Sequence, residues 1–267
     1  MNTKRIYAIF LRQWFLIKGN KVRFVPIFLW SLIDIILWGF ISQYLKGVAG
    51  ATLNFTSIFL GAVLLWDFTT QVMQGITASF FEDVWSRNFL NIFASPLRIS
   101  EYITGLVLIS IVRSIAVLIV MLIFASIAFG LSVLSYGIAL AAFLLILFLS
   151  GIALGIFGVS IVLRLGPSAE WLIWPIPAIL SPFVGVFYPL SQLPVWIQYI
   201  SRLLPPSYVF EGIRAIVSGS AFPTESLIIG FALSVIYLVG AYAVFAAVYR
   251  KAVRTGLVAR YSAESLS

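Results

Sequence analysis

Residues 174–214 constrain this chain more than any other stretch. They are strongly apolar, yet they hold seven of its eleven prolines: Pro175, Pro177, Pro182, Pro189, Pro194, Pro205 and Pro206. A proline inside a helix removes a backbone donor and clashes with the preceding turn, at about 3 kcal/mol. A plain spanning helix would not carry so many. Irregular backbone at membrane depth is tolerated only where protein buries it or where it lines a cavity. The stretch therefore predicts a helix that enters the membrane, breaks, and turns back through short helices on one side.

Composition supplies the solvent. The chain is 62% hydrophobic and 10% charged, where a soluble domain has roughly 25% charged residues. Lipid is the surrounding this implies. There is no cysteine and no histidine, which removes disulfides, thiolate chemistry, the commonest general base and the commonest metal ligand. No cofactor or metal is expected. The net charge of +8 fits the positive-inside rule of membrane proteins better than a nucleic-acid partner. The N-terminus does not read as a cleavable signal. Its basic residues are spread from Lys4 to Arg23 and the apolar run that follows is of full spanning length.

Read in order, residues 1–24 pair a basic face with Ile6, Phe10, Trp14 and Ile17 at spacings of three and four. That pattern predicts an interfacial amphipathic helix. Spans are expected at 25–45, with Asp34 near the middle, and at 55–79, with Asp67, Gln71 and Gln74 on one polar face. About twenty residues suffice to cross a core of about 30 Å. Residues 81–97 predict a short amphipathic helix outside the bilayer. Phe81, Trp85, Phe89 and Ile92 fall on one face, Glu82, Asp83 and Arg87 rim it, and Pro96 closes it. Further spans are expected at 103–129, with Arg113 inside, and at 137–163, where Gly151, Gly155 and Gly158 predict close helix packing. A fifth span begins near Glu170 and runs into the proline-rich segment; a sixth occupies 227–249. The fold class expected is an all-α integral membrane protein, one transmembrane domain over 1–267. It has six spans and a re-entrant hairpin over 182–214 between the fifth and the sixth.

Within that hairpin the chain is expected to leave the fifth helix after Pro182 and Gly185 and to turn at Tyr188-Pro189. A short helix then starts near Pro194, with Trp196 on its apolar face, and Pro205-Pro206 ends it. Charge gives the orientation. Thirteen of the seventeen Lys and Arg residues fall on the side of the two termini, and Lys46, Arg202 and Arg214 on the other. Both termini are therefore expected in the cytoplasm.

At this point the residues resemble a family. Gly185-Val-Phe-Tyr-Pro-Leu-Ser-Gln-Leu-Pro194, Leu204-Pro-Pro-Ser-Tyr208 and Glu211-Gly-Ile-Arg214, together with Ser95-Pro96-Leu97 and the basic arm, look like the membrane subunit of an ABC-2 type transporter. The resemblance covers nearly the whole chain. It implies a permease in the cytoplasmic (inner) membrane, working with two copies of a separate ABC ATPase and a second membrane subunit, expected to be another copy of itself. It makes 81–97 a cytoplasmic coupling helix that docks in the ATPase, and 182–214 an extracytoplasmic gate. The residues agree on one point: the sequence has no G-x-x-x-x-G-K-[ST] phosphate loop, so ATP hydrolysis is expected in a partner. Polysaccharide exporters of the family usually carry an Arg-Asp-rich signature in the first helix. Residues 1–24 lack it, which points to a drug, antibiotic or lipid-like substrate.

Two other classes stay open on the residues alone. Asp34, Asp67 and Arg113 would serve an ion-coupled secondary carrier as a relay. An intramembrane enzyme would have to use paired carboxylates, since no span holds a lysine beside a nucleophilic serine. Arg113 cannot neutralise by losing its proton, so it is expected to pair with Asp34 or Asp67.

Overall fold

A computed structural model describes residues 1–19, 21–49, 55–86, 91–92, 95–132, 136–220 and 223–255. Its described residues are helical with short connections and contain no strand. Helix α1 (Thr3–Lys18) precedes α2 (Lys21–Ala49) and α3 (Phe55–Trp85). After the loop come α4 (Ile99–Phe129) and α5 (Ala139–Leu165). Three short helices follow: α6 (Ile176–Val184), α7 (Val195–Leu203) and α8 (Pro205–Val217). Helix α9 (Thr224–Arg254) closes the bundle.

Four described helices are long and apolar enough to cross a membrane: Val25–Gly47 within α2, then α4, α5 and α9. Leu29, Ile33, Ile36 and Leu37 stay exposed on α2, as do Ile228, Ile236 and Val239 on α9. Such faces suit lipid and not water. Helix α3 is equally long and carries polar side chains on one face, and α2, α4 and α5 surround it. The bundle is built on α3. Its close seams are set by glycines. A Cβ at Gly151 would lie 2.8 Å from the Thr69 carbonyl oxygen, one at Gly155 3.0 Å from Ile76, and one at Gly158 3.1 Å from Thr77, so α5 lies directly on α3. Gly75 performs the same service toward Ser110 of α4. The small-residue packing face expected on α5 is therefore its contact with α3. Helix α9 packs on the other side of α5, where Ser150 and Ser234 hydroxyls meet at 3.1 Å.

Two stretches differ from the pattern read in the sequence. Helix α3 does not stop at Ser79 but runs on to Trp85. No proline or glycine interrupts residues 76–85, so the expected loop helix begins as an extension of the second span. The fifth span is not one long helix. Gly166, at φ 102°, ends α5; a 3₁₀ turn covers Pro167–Leu172 and α6 has nine residues. Nine residues reach only about 13 Å.

Candidate functional site

Polar side chains gather in two places on α3. The first is a cavity of about 690 Å³ between α1, α2, α3 and α4. Asp67, Gln71, Gln74, Ala78 and Glu82 line it from α3 at spacings of four, three, four and four, which is one helical face. Asp34 and Trp30 face it from α2 and Arg113 from α4. Gln71, 4% exposed, donates to the Ser31 hydroxyl at 2.8 Å, which fixes α2 against α3. Its Oε1, Asp67 Oδ2 and Arg113 Nε are buried and find no partner. Among the described residues no ion pair joins Arg113 to either aspartate. The pairing expected from the sequence is not made. The three charges share one cavity instead, each held by a different helix.

The second cluster lies at the C-terminal end of α3, against α1. Asp83 has no exposed surface. Tyr102 donates to its Oδ2 at 2.8 Å, Gln13 Nε2 lies 3.3 Å from both oxygens and from the Ser79 carbonyl, and Arg12 forms an ion pair with Oδ1. Burial pushes the Asp83 carboxyl above its ordinary range, and Arg12 and Tyr102 pull against that rise. One turn away Glu101 takes the backbone N–H of Asn2 at 2.7 Å and of Arg98 at 3.0 Å, capping its own helix, and pairs with Arg5 at 3.5 Å. Arg5 also donates to the Pro96 carbonyl. Gly105 allows the approach, since a Cβ there would lie 2.6 Å from Ile9. Helix α1 is thus tied to the end of α3, the loop and the start of α4.

The proline-rich segment has its own logic. Pro182 sits inside α6 and leaves the Ala178 carbonyl without its helical donor; the Ser181 hydroxyl bonds that oxygen at 3.0 Å. Gly185, at φ 73°, ends the helix. The turn that follows is held by Arg214, which donates to the carbonyls of Gly185, Val186 (3.4 Å) and Tyr188 (2.8 Å) and pairs with Glu211 at 2.9 Å. Burial lowers the Arg214 pKa and Glu211 opposes that. Glu211 also accepts the Leu190 N–H at 3.0 Å, and the Tyr188 hydroxyl reaches the Pro182 carbonyl at 2.9 Å. Trp38 of α2 stacks on Phe187 with ring centres 4.9 Å apart. Pro194 precedes α7, and Pro205-Pro206 form the first turn of α8.

A family model for ABC-2 type transporters matches residues 4–218. The chain belongs to the ABC-2 type transporter family. It is the transmembrane permease component of an ABC transporter, and a multi-pass membrane protein. No curated protein matches it.

The match spans α1 through α8, so both polar clusters and the proline-rich segment belong to the ABC-2 permease proper. Of the residues expected on its coupling loop, Trp85 is 57% exposed and Pro96 is also exposed. Arg87 and Phe89 lie outside the described residues. Two others differ from the expectation: Asp83 does not rim an open face but is enclosed by Arg12, Gln13 and Tyr102, and Ile92 does not lie on one but packs into the apolar core. Glu82 is half-buried and turns to the cavity. On the gate segment Trp196 is exposed with Val195, Tyr199 and Leu203 along α7. Arg5 and Arg12, expected on an outer basic face, instead reach buried carboxylates, Glu101 and Asp83. The signal for this was Gln13, a polar residue in register with the buried stripe of Ile6 and Ile9.

Proposed function

We propose that this permease is the membrane half of an ATP-driven exporter, in the cytoplasmic membrane with both termini in the cytoplasm. Two copies pair with two copies of a separate ATPase. The observation that carries the reading is that a member of an ABC transporter family has no phosphate loop in its sequence. The energy then comes from another subunit. Six crossings are made by α2, α3, α4, α5, the broken segment 167–184 and α9, where the 3₁₀ turn and α6 together cross as one composite. The charge asymmetry supports the orientation.

Trp85, exposed at the end of α3 and stacked on Phe81, is the contact offered to the ATPase, with Pro96 beside the Arg5 anchor. Force applied there reaches the bundle through the Asp83 and Glu101 ties. At the opposite end residues 182–214, from the last turn of α6 through α7 and α8, form a re-entrant gate whose turn Arg214 holds shut. The cargo is a drug, antibiotic or lipid-like molecule. The test is co-expression with a candidate ATPase, followed by co-purification and ATP-dependent transport in inverted vesicles. Retention of the ATPase, and its loss in Trp85→Ala, support the reading. A folded permease that carries cargo with no ATPase overturns it in favour of an ion-coupled carrier, for which the shared cavity of Asp34, Asp67 and Arg113 speaks. A cysteine at Ser191 that labels only from the cytoplasm overturns the orientation.

A further inference from the structure

We propose that the cavity between α1 and α4 binds an amphiphilic amine, its protonated nitrogen held by Asp67 and Asp34 and its chain laid along Trp30 and Ile27. This deepens the exporter reading by naming the chemical class of the cargo, and it rests on that reading for the word cargo alone.

Three observations point the same way. First, buried polar atoms in the cavity wall lack partners. Asp67 Oδ2 and Gln71 Oε1 are buried acceptors without donors, and a buried polar group left unmade is costly. Gln71 is already fixed by Ser31 and cannot swing to another partner without giving up that bond. An ammonium has several N–H donors and no acceptor, which is the complement of two orphan acceptors. Second, the charge is lopsided. Among the described residues, Asp34 and Asp67 face the cavity against Arg113. In a cleft with apolar stretches along its wall, that excess of negative charge draws cations. Third, the cavity is long and partly apolar. From Glu82 to Asp67 it follows α3 for about 22 Å, with Leu16, Ile17, Pro26, Ile27 and Trp30 along it. An alkyl chain fits that wall, and the Trp30 ring face is favourable to a cation passing over it.

The experiment needs no ATPase, so its outcome is separate from that of the export reading. The permease is placed in nanodiscs and its tryptophan fluorescence is titrated with dodecylammonium, with dodecanol and with dodecyl sulfate, subtracting the titration of empty nanodiscs. Dodecylammonium is expected to saturate the signal and the other two are not. Asp67→Asn weakens the binding about tenfold or more, as loss of a charge-assisted bond does, and Arg113→Gln tightens it by removing the opposing charge. Should Asp67→Asn fail to fold, Asp34→Asn carries the same expectation. Equal binding of dodecanol, tighter binding of dodecyl sulfate, or an unchanged affinity in both aspartate variants overturns the proposal. Weakening by Arg113→Gln as well as by Asp67→Asn also overturns it, because both would then act through the shape of the cavity and not through charge. Failed export with retained dodecylammonium binding counts against the exporter reading only.

Discussion

Asp67 and Asp83 lie on the same helix, yet their surroundings are opposites. Asp83 is closed in by a guanidinium, an amide and a phenol that satisfy both oxygens. Asp67 has an orphan oxygen, and Arg113, the cation that shares its cavity among the described residues, does not reach it. A satisfied buried charge fixes geometry; an unsatisfied one in a cavity is held ready for something else. The difference teaches where this permease keeps its structure and where it keeps its freedom. The α1 end is fastened, as a part that receives force must be. The middle is left open.

The comparison breaks most readily at Arg12. Arg12→Ala leaves Asp83 buried and unpaired, and such a loss costs about 3–5 kcal/mol. Unfolding in an SDS titration should shift accordingly, and Arg12→Ala/Asp83→Ala should recover part of the shift. Full stability of Arg12→Ala would mean that the cluster fastens nothing. Arg214→Ala comes next. It removes the donors of three carbonyls at the gate turn, about 1.5–3 kcal/mol for bonds to a charged group, and protease cutting near Tyr188 should increase.

A smaller but still clear effect is expected at the α3–α5 seam. Gly151→Val drives a side chain against the Thr69 carbonyl and Val72, and overpacking of this kind costs about 1–3 kcal/mol. Trp85→Ala is the smallest in stability, within about 0.5 kcal/mol for a surface site, while ATPase association in pull-down should drop. A Trp85→Ala protein as unstable as Arg12→Ala would place Trp85 with the fastened end and not with the docking surface.

The helices were legible because lipid demands long apolar runs, and α2, α4, α5 and α9 follow their expected spans closely. The turn residues were legible too. Gly185, Pro194 and Pro205-Pro206 act where their backbone chemistry dictates. The polar partners were harder. Arg12 and Asp83 are seventy-one residues apart, and helical periodicity relates only near neighbours. Arg5 and Arg12 looked like a solvated face because nothing local shows that a carboxylate is buried beneath them. The same limit explains Arg113: it shares a cavity with Asp34 and Asp67, but whether three helices bring charges into contact or hold them apart depends on glycine-set distances such as the one at Gly75.

The most direct test of the contrast is to compare Asp67→Asn and Asp83→Asn in the same nanodiscs, measuring SDS-titration unfolding of each beside the parent. Asp67→Asn is expected to be as stable as the parent or more so, since it removes a charge that no cation among the described residues pairs. Asp83→Asn is expected to lose several kcal/mol, about the 3–5 of a broken buried pair. The reverse order, or equal losses in both, would contradict the division between a fastened end and an open middle.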